Sequence, residues 1–298
     1  MSGTHPSIGI GILSWRGTDS LARVLPTYRR GDLFSAVDQT LLFLPEPDER
    51  AVALGQQFDL DVRTHPHNLG ILGGFKAIAE QLTTDLVLLL EDDCPLIEPP
   101  AEVQRQLTLG AAALDAGDVQ VVRLRHRKYP GASRRFGVID KYRRYFPASD
   151  GPWTDRALAA GRRLIRPGKA RRMAGNGLYL QADAYADPYD FIATDQPLAT
   201  IDHAQEIMLA KRHPSLMDWR HDGYWRATAK TVPWSNQSIL VNRRFYLDRI
   251  IAYAEQNPSR RTVNGFSDVE KELNSDYWRQ SGWHVGLPGG LFAHELCN

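Results

Sequence analysis

The segment Asp85-Leu86-Val87-Leu88-Leu89-Leu90-Glu91-Asp92-Asp93 constrains this chain more than any other, because an apolar run closes abruptly in three acids. A short apolar run between polar boundaries reads as a strand buried on both faces. Three carboxylates crowded at its C-terminal end repel one another unless a cation is shared among them. Alternate residues of a strand point the same way, so Glu91 and Asp93 are expected on one side and Asp92 on the other. Hard oxygen ligands at a strand end, with space left for phosphates, suit Mg2+ or Mn2+. The plainer reading is a solvated strand end or a helix cap, since Asp93 precedes Cys94-Pro95.

The rest of the chain narrows the class. Its 298 residues suffice for one large core or two modest domains. Two cysteines, Cys94 and Cys297, form no CxxC, so neither a disulfide framework nor a zinc site is implied and a reducing compartment is the simplest expectation. The first residues lack the pattern of a secretory signal, and no window is apolar enough to span a bilayer. A cytoplasmic protein, peripheral at the inner face of the membrane at most, is expected. Asn236-Gln237-Ser238 matches a glycosylation acceptor but reads as chance without secretion.

Formal net charge is +1, yet residues 119–172 hold 16 Lys/Arg against 3 Asp/Glu, a local balance of +13. A solvated face explains any single arginine here. The density points to an anionic partner, whether ligand phosphates, an acidic glycan or a membrane surface. No nucleic-acid motif accompanies it, so nucleic acid is not expected.

Along the chain, strands are expected at Ile8–Leu13, Gln39–Leu44, Leu60–Thr64 and Leu86–Leu90. Helices alternate with them, one capped by Thr18 or Asp19 and starting near Leu21, one from Asp48 to about Gln57, and one from Phe75 to Leu82 after a glycine-rich loop at 68–74. This alternation predicts an α/β architecture with a mainly parallel sheet, whose ligands bind at the carboxyl ends of the strands. Further on, a helix is expected at 102–114, strands at 119–124 and 177–181, and helices at 202–212 and 243–256. The basic stretch 125–174 reads as a long irregular segment. Trp219, Tyr224, Trp225 and Trp234 suit either a sugar platform or a core.

The order of these elements, the segment Asn68-Leu69-Gly70-Ile71-Leu72-Gly73-Gly74 and the strand running into Glu91-Asp92-Asp93 resemble the nucleotide-binding half of GT-A glycosyltransferases, particularly those of the family 2 type. The similarity covers about the first third of the chain. It implies a single GT-A domain over 1–298, with a Rossmann-like sheet flanked by helices. Residues 1–118 would bind the nucleotide sugar, and 119–298 would form an irregular acceptor half and tail. The implied activity is a hexosyltransferase-type transfer of a sugar from a UDP- or GDP-type donor to a carbohydrate or lipid-linked acceptor in polysaccharide assembly, with inversion. In that scheme the acids are a Glu-Asp-Asp form of the DxD motif. Asp93 binds the metal, Glu91 lies by the ribose or sugar, and Asp92 belongs to the same donor site. Glu46 meets the base, flanked by Ser14, Trp15 and Arg16. Asn68 and Gly70 belong to the same donor site, Gly73 and Gly74 let the backbone approach the donor or form a tight turn into the following helix, and Lys76 reaches a phosphate or solvent. Two departures touch the base site: Ser14-Trp15-Arg16-Gly17 replaces the usual Pro-Thr-x-Asn, and Pro45-Glu46-Pro47 replaces an Asp-Asp-Gly-Ser type of turn.

Inverting members carry an acid that opens a helix in the pattern Glu-Asp-x-x-Leu-x-x-Arg, matched here by Gln205-Glu206-Ile207-Met208-Leu209-Ala210-Lys211-Arg212. By that resemblance Glu206 is the general base and Asp202 its rival, with His203 third; the plainer reading makes Asp202 a helix cap and Glu206 a partner of Lys or Arg. Some members complete the metal shell with a late histidine, a place His294 would fill unless it is a hydrogen-bonded core residue. Two other classes stay open: a nucleotidyltransferase, disfavoured because Ile8–Gly17 is not a basic glycine-rich loop, and a non-catalytic glycan- or phosphate-binding protein, which needs neither Asp93 nor Glu206.

Overall fold

The structure is a computed structural model and describes residues 5–126, 144–147, 152–170, 217–220, 223–230, 232–258, 262, 265–266 and 269–295. Its frame begins with β1 (Ile8–Leu13), α1 (Thr18–Arg30), β2 (Gln39–Pro45), α2 (Glu49–Gln57), β3 (Asp61–His65), α3 (Gly70–Gln81), β4 (Leu86–Glu91) and α4 (Pro100–Asp115). Then come β5 (Val121–Arg123), β6 (Met217–Arg220), β7 (Tyr224–Thr228), β8 (Ile239–Asn242) and β9 (His284–Leu287). Among the described residues these strands form one nine-stranded sheet in the order β3-β2-β1-β4-β8-β5-β9-β7-β6. The fold is therefore the mixed α/β class expected, with strands from both halves of the chain in one sheet. The pairs β1–β2, β1–β4, β2–β3 and β5–β9 are parallel, and β4–β8, β5–β8, β6–β7 and β7–β9 antiparallel.

The apolar run behaves as its composition requires. Leu86 to Leu90 are all buried, with Leu86, Leu88 and Leu90 in one core and Val87 and Leu89 in the other. The first core packs Leu21, Val24, Leu25 and Tyr28 of α1 and Val103 and Leu107 of α4 against the sheet. The second packs Phe75 and Ile78 of α3 with Tyr246, Ile250 and Trp278. Both faces of β4 are thus covered, which is why it has no polar alternation.

The helix boundaries differ from expectation in three places. The first helix starts at Thr18 rather than near Leu21, and Thr18 does not cap it: its hydroxyl donates to Asp48 Oδ2 at 2.7 Å. Asp48 itself caps α2 as expected, accepting from the Ala51 amide at 2.6 Å. The expected loop at 68–74 is already helix from Gly70. Asn68 Oδ1 accepts from the Gly70 amide at 2.8 Å and sets the entry turn. Gly74 faces the end of β1 so closely that a Cβ there would lie 2.6 Å from a Leu13 methyl. Glycine at 74 therefore serves helix–sheet packing, and turn propensity misread it. Third, Trp153–Ile165 is a helix inside the stretch read as irregular. The segment from Arg243 to Gln256 is helical as expected, with a π-helical stretch at Tyr246–Ile251.

Tyr246 is fully buried, and its hydroxyl has no hydrogen-bond partner among the described residues. Burial without a partner disfavours a hydroxyl by about 1–3 kcal/mol. Tyr246→Phe is accordingly expected to leave the fold intact and raise stability by about 1 kcal/mol, read as a higher midpoint in urea unfolding at unchanged slope.

Candidate functional site

The chain begins at β1, moves outward through β2 and β3, and returns to β4 on the other side of β1. The reversal makes the carboxyl ends of β1 and β4 a topological switch point, where open α/β sheets bind ligands. Ser14 and Asp92 meet there, the Ser14 hydroxyl donating to Asp92 Oδ2 at 2.5 Å. Gly17 closes over the pair; a Cβ at that position would overlap Asp92 Oδ2. Ser14 is 2% exposed. Burial pushes the Asp92 carboxyl up to about 7, the Ser14 hydrogen bond opposes this, and the nearby Asp93 charge adds to it. Ser14 and Asp92, expected at the donor, thus bind each other and lock the loop after β1 to the end of β4.

A second group forms at the ends of β1 and β2. Trp15 Nε1 donates to Glu46 Oε2 at 3.0 Å, and Arg16 to the same oxygen at 3.2 Å. The indole bond is the main reason the Glu46 carboxyl sits below the usual range, followed among the lowering influences by the Asn68 amide and the Arg16 charge. Arg16 and Glu46 both have left-handed backbones, at φ 56° and φ 50°. Such conformations are uncommon outside glycine and concentrate at functional sites. Trp15, Arg16 and the Asn68 amide thus converge on the Glu46 carboxylate. Trp15→Phe removes the largest influence holding Glu46 down and is expected to raise its pKa, measured by carboxyl-carbon NMR titration against wild type.

The third group joins Asp93 to His294. Its geometry comes from the segment after β9. Leu291 and Phe292 donate their amides to the Leu124 carbonyl at 2.7 and 3.1 Å, Ala293 to Pro95 at 3.0 Å, and Glu295 to Asp93 at 2.8 Å. The segment is thereby threaded between the ends of β5 and β4. His294 Nε2 lies 3.0 Å from Asp93 Oδ2 and 2.9 Å from Gln237 Nε2. Gln237 Oε1 accepts from Arg125 at 2.6 Å, so its amide NH2 faces the imidazole. His294 Nε2 consequently meets a donor and an acceptor at once. If it carries a proton it suits Asp93 and opposes Gln237; if it carries a lone pair the reverse holds.

A divalent cation beside Asp93 fits the lone-pair form, in which carboxylate and imidazole present electron density to one point. The 3.0 Å between the two atoms is also the spacing of adjacent ligands around an octahedral ion with bonds of about 2.1 Å. Among the described residues no cluster of three His, Cys, Asp or Glu forms a ready metal site. The protein would supply two ligands and leave the other positions to water and phosphate oxygens, the usual arrangement for Mg2+. One feature stands against ideal ligation: His294 Nδ1 is buried without a partner among the described residues, whereas ligand imidazoles normally donate that N–H.

Other expected site residues fall elsewhere. Glu91 closes β4 in register with Leu13 of β1. Gly70 has φ 67°, and a Cβ there would strike the Phe266 side chain at 2.4 Å, while a Cβ at Gly73 would meet Leu69 at 2.8 Å. Both glycines are filled against protein atoms. Lys76 pairs with Glu255 at 2.6 Å, tying α3 to the helical segment near residue 255. Trp225, Trp234 and Tyr224 are core residues, whereas Trp219 is partly exposed, 5.0 Å from the Trp225 ring. Asn236 is 2% exposed and accepts from Trp234 Nε1, which agrees with reading its glycosylation motif as chance. Glu206, Asp202, His203 and the 177–181 strand lie outside the described residues. Sequence reasoning missed Arg125 and Gln237. Arg125 follows a strand whose carboxyl end faces the site, which could have flagged it; Gln237 precedes β8, a strand the pattern reading did not separate from its surroundings.

No family model and no curated protein matches the chain. Solved structures with partial likeness include S. aureus TarS 1-349, at 8% identity and a TM-score of 0.48, over 97% of this chain and 60% of that one. The same protein in complex with UDP-GlcNAc aligns at 7% identity and a TM-score of 0.49, over 98% and 59%. Mannosyltransferase PcManGT from Pyrobaculum calidifontis, in complex with GDP-Man and Mn2+, aligns at 9% identity and a TM-score of 0.35, over 42% and 37%. The chain thus spans about 60% of the TarS chain's length, and a likeness at these values carries no statement about activity or substrate.

Proposed function

We propose that the protein is a metal-dependent glycosyltransferase that moves a sugar from a nucleoside diphosphate donor to a carbohydrate or lipid-linked acceptor, with inversion. The observation that carries this reading is the convergence of Asp93 Oδ2 and His294 Nε2 at 3.0 Å, at the carboxyl edge of the sheet and next to the switch point. The resemblance of the Asn68–Gly74 and Glu91–Asp93 segments to GT-A enzymes supports it independently. In this reading Asp93 and His294 hold Mn2+ or Mg2+, which when bound offsets the negative charge of the diphosphate. Gln237, fixed by Arg125, orients the His294 ring. Trp15, Arg16 and Glu46 form the base side of the donor site, where the indole face suits stacking and the carboxylate accepts from a base N–H. Asp92 acts through Ser14 as a positioning residue. The general base, which takes the acceptor's hydroxyl proton as its oxygen attacks the sugar, is assigned by the resemblance of residues 205–212 to the family's helix-opening acid motif to Glu206, with Asp202 its rival.

The test is thermal unfolding of the full chain against a panel of nucleoside diphosphates, with and without Mn2+. A ligand that binds only the folded state raises its apparent stability. Stabilisation by one diphosphate that requires Mn2+ is expected and identifies the donor base. Absence of any response at saturating nucleotide overturns the transferase reading in favour of a non-catalytic binding protein.

A further inference from the structure

The helix Trp153–Ile165 is turned inside out relative to a core helix. At 100° per residue, Trp153, Ala157, Leu158, Leu164 and Ile165 share one broad side, and Arg156, Arg162 and Arg163 the other. Such a pattern normally places the apolar side against the protein. Here Trp153 is 72% exposed, Leu158 57%, Leu164 83% and Ile165 79%, so no described residue covers that side. Ala159, on the polar side, is the buried residue of the helix. The polar side also makes the attachments: Arg163 donates to the Tyr145 carbonyl at 2.6 Å, and Arg162 to the Arg144 carbonyl at 3.2 Å.

Beside the C-terminal end of this helix lies an open cleft of about 420 Å³ lined by Arg144, Tyr145, Arg162, Ile165, Arg166 and Lys169. Among the described residues its lining carries four cationic side chains and no acid. Ile165 belongs to both the cleft and the apolar side, so the two features are continuous. An apolar stripe bearing Trp, Leu and Ile, flanked by arginines, is the composition of helices that lie in the plane of a bilayer surface. A polybasic patch alone would fit any polyanion, and an apolar stripe alone would fit another protein. Together, on one exposed surface, they match a surface that offers phosphates and hydrocarbon at adjoining depths.

We infer that the helix Trp153–Ile165 and its basic cleft dock the protein on an anionic lipid bilayer, with the apolar side inserted among the acyl chains near the interface and the cleft around lipid phosphates. This is independent of the transferase reading, because none of these residues belongs to the switch-point site. Charge complementarity is local, since the whole chain carries only +1, and attraction is therefore expected to fall within a short distance and to weaken with salt.

The test is co-sedimentation of the full chain with vesicles of phosphatidylcholine and phosphatidylglycerol, and with phosphatidylcholine alone. Two double variants accompany it, Leu164→Glu/Ile165→Glu and Arg144→Glu/Arg166→Glu. Leu164 and Ile165 are 83% and 79% exposed, and Arg144 and Arg166 are exposed as well, so melting temperatures near wild type are expected, and circular dichroism checks this. The expected result is salt-sensitive binding to the anionic vesicles, weaker by about tenfold or more in each double variant, with glycerol 3-phosphate a poor competitor. Failure of wild type to bind anionic vesicles overturns the inference, as does unchanged binding in the Leu164→Glu/Ile165→Glu variant. Efficient competition by glycerol 3-phosphate would make the cleft a site for soluble phosphate and equally overturn it. Sedimentation velocity showing a dimer that Leu164→Glu/Ile165→Glu dissolves, without vesicle binding, would assign the apolar side to a second copy instead.

Discussion

Replacing Asp93 with alanine is expected to abolish Mn2+-dependent stabilisation by nucleoside diphosphates and to slow sugar transfer by about 10²–10³-fold, the scale of losing one preorganised electrostatic contact in a transferring site. The stability of the metal-free protein should change little or rise, because one of three crowded acids is removed. That separation matters: a purely structural Asp93 would lower the melting temperature and leave any nucleotide effect in proportion. His294→Ala is expected to act in the same direction with a smaller loss, about 10–100-fold, since the carboxylate remains. Asp92→Asn should differ from both. It keeps the acceptor for Ser14, which donates at 2.5 Å, and metal-dependent stabilisation should survive. If Asp92→Asn abolishes the response while Asp93→Ala spares it, the assignment of the two acids is reversed.

Gly290→Ala is expected to have the largest effect on folding of any single change discussed. Gly290 has φ 88°, and a Cβ there would stand 2.4 Å from the Arg125 carbonyl oxygen and the His126 Cα. Those are backbone atoms of the segment leaving β5, which cannot rotate aside as a side chain can. The peptide is also clamped, because the Gly290 amide donates to Gln106 Oε1 at 2.8 Å and Gln106 Nε2 donates to the Gly290 carbonyl at 3.0 Å. Strained φ and overpacking together should cost about 2–4 kcal/mol. Gly117→Ala is the control: Gly117 also has positive φ, at 69°, but nothing within 4 Å of a Cβ, so a loss nearer 1 kcal/mol is expected. Urea unfolding measures both. Gly290→Ala should additionally weaken the Mn2+ response, because Gly290 anchors the segment that delivers His294 to Asp93. An effect no larger than that of Gly117→Ala would show that the clamp is not rigid.

The first four strands were readable because each is an apolar run interrupted by turn residues, and local composition suffices where burial is two-sided. Asp48 was readable as a cap because its effect spans three residues. Glycine was the less reliable guide. At 70–74 it suggests a loop that approaches a ligand, but the helix already starts at Gly70 and Gly74 is selected by the closeness of Leu13, a contact made by another element. The arginine-rich helix at 153–165 was missed for a related reason: its apolar side faces outward, against the usual use of periodicity, and glycine and proline around it suggested a loop.

Local chemistry in the chain determined by itself that an apolar strand would be covered on both faces and end in three acids, and that Trp15-Arg16 and Glu46 would each follow the carboxyl end of a strand. Those outcomes depend on hydrophobicity and strand geometry over a few residues. Only the tertiary structure decided that Asp92 binds Ser14 while Asp93 meets His294, that Gln237 is held by Arg125, and that β8 enters antiparallel between β4 and β5. Each of these is a contact between segments far apart in sequence, whose meeting is set by sheet order and by which backbone groups remain to be hydrogen-bonded, quantities that no local pattern carries.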